Sequence, residues 1–166
     1  WKMNGTRQSV TAWIEAVSKN INVNEEKPCI FCPPTCYLDH ARKLIDENDN
    51  HIKLGSQIIN HNLTENSLTG GISANMLSNL GVEYVLIGHS EQRALLIENN
   101  TVISNKIERA LNENLNIILC IGEDLNTKKN NATYEFIKEQ LDVLSQLNLK
   151  NEAQLGSIKI AYEPIW

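Results

Sequence analysis

The sequence predicts an α/β fold in which about six strands alternate with helices, a pattern that calls for a parallel sheet with helices packed outside it. Short apolar, β-branched runs, clearest at 82–87 and 116–121, have the composition of strands buried on both faces. Each is stopped by glycine, Gly88 after the first and Gly122 after the second. Between the runs, apolar residues recur at the 3.6-residue spacing of amphipathic helices. No compositional break or low-complexity tract divides the chain, so residues 1–166 are expected to form a single domain. Neither G-x-G-x-x-G nor a P-loop occurs, which disfavours an open nucleotide-binding sheet and favours a barrel.

Taken in order, Trp1-Lys2-Met3-Asn4-Gly5-Thr6 alternates apolar and polar residues like a strand end running into a turn, with Thr6 placed to cap a helix. Val10, Trp13, Ile14, Val17 and Ile21 form that helix's apolar stripe, and Lys27-Pro28 interrupts it. Residues 29–32 read as a short buried strand closed by Pro33-Pro34, and 35–47 as a helix with Leu38, Ala41, Leu44 and Ile45 inward. After a loop at Asn48-Asp49-Asn50, a third strand is expected over 52–59. A polar loop follows over 60–71, long enough to suggest function or mobility. Ser73 caps a short helix through Leu80, and Gly81 ends it. The fourth strand is 82–87, with a helix starting at Ser90 and another marked by Val102, Ile103, Ile107, Ala110 and Leu111. The fifth strand spans 116–121, and 128–131 is a solvated connection. Tyr134, Phe136, Ile137, Leu141, Leu144 and Leu147 mark one long amphipathic helix before the sixth strand at 157–162.

A formal net charge of −5 and a pI near 5.4 argue against a nucleic-acid partner while leaving room for a small anionic substrate. No run reaches membrane-spanning length, and no secretory signal is seen. The chain opens on Trp1 without an initiator Met, so its start reads as truncated. Four cysteines raise a metal or redox possibility. Cys29-Ile30-Phe31-Cys32 matches C-x-x-C, but Pro33-Pro34 bars the helix a thioredoxin-like motif needs. Cys36, Cys120 and His40 lack the paired spacing of structural zinc, so no metal is expected. Buried reduced thiols in a cytoplasmic protein fit the pattern better.

Functional groups of parallel α/β proteins gather beyond the carboxyl ends of strands. Those positions hold Lys2 with Asn4, His89 and Glu163. A histidine between a buried strand and a helix start meets helix N-terminal amides, which disfavour the imidazolium and leave the other nitrogen as a neutral donor. A Lys–His–Glu set suits enolisation: the glutamate removes a carbon-bound proton, the histidine donates to oxygen and the lysine offsets negative charge. Pro164 restricts the backbone where such a base must be aimed. Read singly, each has a plainer account, a loop histidine or a solvated surface charge.

Four strings change the weighting: Trp1-Lys2-Met3-Asn4-Gly5-Thr6, Tyr84-Val85-Leu86-Ile87-Gly88-His89-Ser90-Glu91, Cys120-Ile121-Gly122-Glu123 and Ala161-Tyr162-Glu163-Pro164-Ile165-Trp166. Together they closely resemble the triosephosphate isomerase family, in the right order, as do Pro33-Pro34-Thr35 and Leu80-Gly81-Val82-Glu83-Tyr84. The resemblance implies a (β/α)8 TIM barrel, incomplete here, and a commonly dimeric enzyme. It would interconvert dihydroxyacetone phosphate and glyceraldehyde 3-phosphate, a glycolytic and gluconeogenic step, with no cofactor. It implies Glu163 as catalytic base, His89 as electrophile and Lys2 as the lysine that contacts the phosphorylated substrate, with Ser90 and Glu91 beside the histidine. The resemblance implies a neutral histidine in this role as well. Thr69 matches a residue that reaches into the partner subunit, which makes 60–71 an interface arm.

The chain departs from the family pattern at both ends. A barrel of this kind runs to about 250 residues, and the phosphate-holding units and mobile lid follow the position of Trp166. The chain is therefore expected to be a fragment with open sheet edges and no activity of its own. Gly71 and Gln92 stand where the family often has a Glu–Arg pair across the dimer interface, so a less salt-sensitive dimer is expected. Two competing readings share the fold: another phosphate-binding barrel enzyme, and a degenerate, non-catalytic paralogue.

Overall fold

The computed structural model describes residues 1–20, 27–48, 52–61 and 68–166. Among them, five parallel strands form one sheet in sequence order: Cys29–Phe31 (β1), Ile52–Ser56 (β2), Tyr84–Ile87 (β3), Asn116–Ile121 (β4) and Ile158–Tyr162 (β5). The helices are Arg7–Asn20 (α1), Leu38–Glu47 (α2), Ala74–Asn79 (α3), Ser90–Leu95 (α4), Asn100–Asn112 (α5), Leu125–Lys129 (α6), Thr133–Leu141 (α7) and Glu152–Gly156 (α8). Every strand-to-strand connection carries at least one helix, and the sheet curls into part of a barrel, the expected (β/α)8 architecture in incomplete form.

The described residues hold five strands where six were expected, and the difference lies at the start of the chain. Lys2 (φ 48°) and Gly5 (φ 124°) leave the extended region, and Trp1 O accepts the Asn4 N–H at 3.0 Å. The alternation there belongs to a turn, and β1 and β5 are the sheet's edges. Thr6 does cap α1. Its Oγ1 accepts the Ser9 N–H at 3.1 Å while Ser9 Oγ accepts the Thr6 N–H at 2.8 Å, a reciprocal pair. Val10 and Ile14 are buried, Trp13 stacks on Phe31 at 4.2 Å between centroids, and Ile21 lies outside the described residues.

Other elements differ in length for local reasons. β2 stops at Ser56, whose Oγ donates to Ile58 O at 2.8 Å and turns the chain. The helix expected over 35–47 begins as a 3-10 turn, Thr35–Tyr37, before α2. The long helix expected around 134–147 is α7 followed by a 3-10 turn, Asp142–Gln146. The connection expected at 128–131 is exposed, but its first two residues close α6, which Asp124 caps by accepting the Thr127 N–H at 2.7 Å. Of the 60–71 loop, 62–67 lie outside the described residues. Its ends are clasped, Asn60 N–H to Ile72 O at 2.9 Å and Ile72 N–H to Asn60 Oδ1 at 2.6 Å. Ser73 caps α3 through Met76 N–H, and Gly81 (φ 79°) ends it.

The core lies between sheet and helices. Leu54, Val85, Ile117 and Leu119 from the strands meet Ile103, Ile107 and Ala110 of α5 and Ala41 of α2, all fully buried. Each of the Leu, Ile and Val side chains among them stabilises the fold by roughly 1.5–3 kcal/mol. No described helix is long and apolar enough to cross a membrane. This packing brings the ends of β3, β4 and β5 side by side.

Candidate active site

Gly88 (φ 75°) takes the chain out of β3 in a left-handed conformation and delivers His89 as the capping residue of α4. His89 Nδ1 accepts the Glu91 N–H at 3.3 Å. With Nδ1 used as acceptor, Nε2 is the ring nitrogen left to donate. Nε2 faces Glu163 Oε2 at 3.6 Å.

Glu163 is held there by backbone. Its N–H donates to Ile121 O at 2.7 Å, and Ile165 N–H donates to Glu123 O at 2.9 Å, so the parallel ladder runs past the ends of β4 and β5. Pro164 lies between these two donors, where no N–H is needed. Gly122 faces this segment. A Cβ on Gly122 would overlap the Glu163 carbonyl oxygen and come within 2.5 Å of its carbon. Gln140 fixes Gly122 from the other side, accepting its N–H at 2.8 Å and donating to its carbonyl at 3.3 Å.

Lys2 enters from the opening turn. Its ammonium pairs with Glu91 Oε1 at 2.5 Å, and Glu91 Oε2 lies 3.5 Å from His89 Nδ1. The hydrogen bond from Lys2 holds the Glu91 carboxyl below the usual carboxylate range. Residues 2, 89, 91 and 163, distant in sequence, thus form one connected set. Ser90 lines a small cleft with Gly88, Arg93, Cys120, Gly122 and Glu163. Thr69 stands apart, exposed in a turn closed by Gly71 N–H to Leu68 O at 3.0 Å, with no hydrogen bond or ion pair to the set.

One site residue was not foreseen. Glu123 is 1% exposed, and its carboxylate accepts the Tyr162 hydroxyl at 2.9 and 3.1 Å, the Trp166 Nε1–H at 3.2 Å and the Thr133 hydroxyl at 3.5 Å. Burial pushes this carboxyl up. Hydrogen bonds from its own backbone, Trp166 and Tyr162, with the Lys128 charge, outweigh that and hold it below the usual range. The Tyr162 hydroxyl is pushed up in turn by donating to Glu123. The residue before Glu163 and the one three beyond it are therefore tied to one buried anion. The signal was present, since Glu123 follows β4 as His89 follows β3 and Glu163 follows β5.

At 3.6 Å the His89 Nε2–Glu163 Oε2 separation exceeds a good hydrogen bond, so donor and carboxylate both remain available to a substrate. A donor and a base side by side, with a cation linked to them, can move protons at a carbonyl and its neighbouring carbon. The nearby thiols are poor candidates for such work. Burial, and then the Glu163 charge, push Cys120 up to about 12, and burial pushes Cys32 up to about 11. Among the described residues, no group of three His, Cys, Asp or Glu could hold a metal ion. A wide groove between α7 and β5, lined by Tyr134, Ile137, Leu141 and Tyr162, contains none of Lys2, His89 and Glu163.

The family model for triosephosphate isomerase matches residues 1–166. Triosephosphate isomerase of Buchnera aphidicola subsp. Schizaphis graminum is 40% identical over 167 residues, and that of Alkaliphilus oremlandii 35% over 166. The enzyme of the same name from Mycoplasma capricolum subsp. capricolum is 36% identical over 166 residues. In each case all of this chain is covered and 64% of the relative, so the chain spans just under two thirds of the length of these curated relatives. With the motifs and the sheet order, the match identifies the chain as a member of the triosephosphate isomerase family.

Proposed function

We propose that the full-length protein containing this chain is a triosephosphate isomerase, and that residues 1–166 supply its proton-transfer groups. Glu163 removes the proton from the carbon beside the substrate carbonyl, and His89 donates from Nε2 to the carbonyl oxygen as negative charge develops there. Lys2, paired with Glu91, attracts the phosphorylated substrate and offsets the charge of the enediolate. Ser90 and Glu91 hold the histidine end of the site, Glu91 through its N–H to Nδ1. The observation that carries this reading is the His89 Nε2–Glu163 Oε2 juxtaposition, tied through Glu91 to Lys2.

The proposed working form is a cytoplasmic homodimer in which Thr69 reaches the partner subunit. Consecutive exposed apolar residues at the end of α4, Leu95, Leu96 and Ile97, favour a covered surface beside the site. Residues 1–166 alone are expected to be inactive, because water reaches a site on an unclosed barrel. Loss of one oxyanion donor already costs about 10²–10³ in rate.

A coupled triose phosphate assay on the full-length protein tests the reading. Glu163→Gln should lower kcat by about 10²–10⁴ with KM little changed, and purified residues 1–166 should give no turnover above a no-enzyme blank. A Glu163→Gln protein as fast as the unsubstituted one would overturn it.

A further inference from the structure

Lys128 is an exposed residue in the last turn of α6, far in sequence from the catalytic candidates. Among the described residues its ammonium makes no salt bridge; it lies over the face of the Trp166 ring, 3.0 Å from the centroid. The edge of the same indole is occupied as well, since Nε1–H donates to Glu123 Oε1 at 3.2 Å. A cation on the face and a carboxylate at the edge fix both the position and the rotation of the ring. The two groups are also fixed to each other. Asp124, next to Glu123, caps α6 through the Thr127 N–H, so Glu123 and Lys128 belong to one short folded unit.

From this geometry we infer that Lys128 is a positioning residue: by clamping Trp166 against Glu123 it sets the backbone of 163–166 and so the aim of Glu163. The inference rests on the proposed function for its catalytic consequence. The path is short. Ile165 N–H bonds Glu123 O at 2.9 Å, Tyr162 donates its hydroxyl to the Glu123 carboxylate, and Glu163 lies between these two anchors. A lysine that merely solvated the surface would leave Trp166 held at its edge alone, free to pivot and to carry that strand end with it.

The test uses the full-length protein with Lys128→Met, which keeps the chain length and removes the charge, and Lys128→Arg, which keeps a cation. Two NMR signals report the clamp without reference to turnover: the Trp166 indole N–H, assigned by its loss in Trp166→Phe, and the Glu163 backbone amide. Lys128→Met should move both signals and lower kcat about two- to fivefold, the ratio expected for an exposed cation–π contact, with KM unchanged. Lys128→Arg should keep the original values. Unmoved signals in Lys128→Met, an undiminished kcat in that variant, or equal effects of Arg and Met would overturn the inference. Absence of isomerase turnover in the unsubstituted protein would instead sink the proposed function, and the NMR signals would still decide whether Lys128 sets the Glu163 backbone.

Discussion

Gly122→Ala tests the framework that places Glu163, the proposed base, with the smallest possible addition. Gly122 is not in the left-handed region, so alanine meets no φ penalty and the whole cost comes from close approach. The new methyl would fall on the Glu163 carbonyl and lie 3.1 Å from Pro164 N, and these are backbone atoms that cannot swing aside like a side-chain tip. The segment must part from β4, weakening Glu163 N–H to Ile121 O at 2.7 Å and Ile165 N–H to Glu123 O at 2.9 Å. Two backbone hydrogen bonds at about 1 kcal/mol each make about 2 kcal/mol, inside the range for overpacking. The same displacement widens the 3.6 Å gap between His89 and Glu163. A misplacement of about 1 Å costs on the order of a hundredfold in rate. In the full-length protein, kcat should therefore fall about a hundredfold, with urea unfolding showing the loss of about 2 kcal/mol. Gly156→Ala is the control, because a Cβ there meets nothing within 4 Å. A Gly122→Ala protein with kcat within about twofold of normal and an unchanged unfolding midpoint would refute the reasoning.

Glu123→Gln should lower kcat about tenfold by loosening Tyr162 and Trp166; stopped assays showing an unaltered kcat would contradict it. For Glu91 the sign is set by Lys2, whose hydrogen bond depresses the carboxyl in the folded state. Its stabilising contribution is present above the unfolded value of about 4.3 and is lost as pH falls through the depressed folded value. Lys2→Met should raise the Glu91 midpoint in a carboxyl-carbon NMR titration, and an unmoved midpoint would count against the pair. Lys106 and Glu98 form an ion pair through Glu98 Oε1 with side chains only 6% and 7% exposed, and Glu98 Oε2 has no hydrogen-bond partner. Lys106→Met should cost about 3–5 kcal/mol in urea unfolding by stranding the buried carboxylate, most of it recovered by adding Glu98→Leu. A loss below about 1 kcal/mol would show the pair to be solvated.

The strand-and-helix alternation was legible because each strand run ends at a conformational stop. Asn116–Ile121, bounded by Gly122, is observed as expected. His89 was legible for the same reason, a polar residue between a buried run and a helix start. Two kinds of feature were not. Short helices such as α8 bury nothing and leave no apolar period; the clue was the cap, Asn151 accepting the Gln154 N–H at 3.0 Å. Contacts between distant segments were the second kind. Nothing local says that Lys2 pairs with Glu91, or that Glu123 is the shared acceptor for Tyr162 and Trp166, because barrel curvature alone brings those residues together. The opening segment misled in the opposite direction: its alternation suits a strand, but Lys2 and Gly5 both take positive φ and make it a turn.

Deuterium exchange is the most direct measurement of whether Glu163 removes the carbon-bound proton beside the substrate carbonyl. Triose phosphate is incubated in D2O with the full-length protein, and loss of the carbon-bound proton beside the carbonyl is followed by proton NMR. Rapid incorporation of deuterium that slows at least about a hundredfold in Glu163→Gln is the expected result. Exchange at an equal rate in both proteins would show that some other group removes the proton, and would contradict the account.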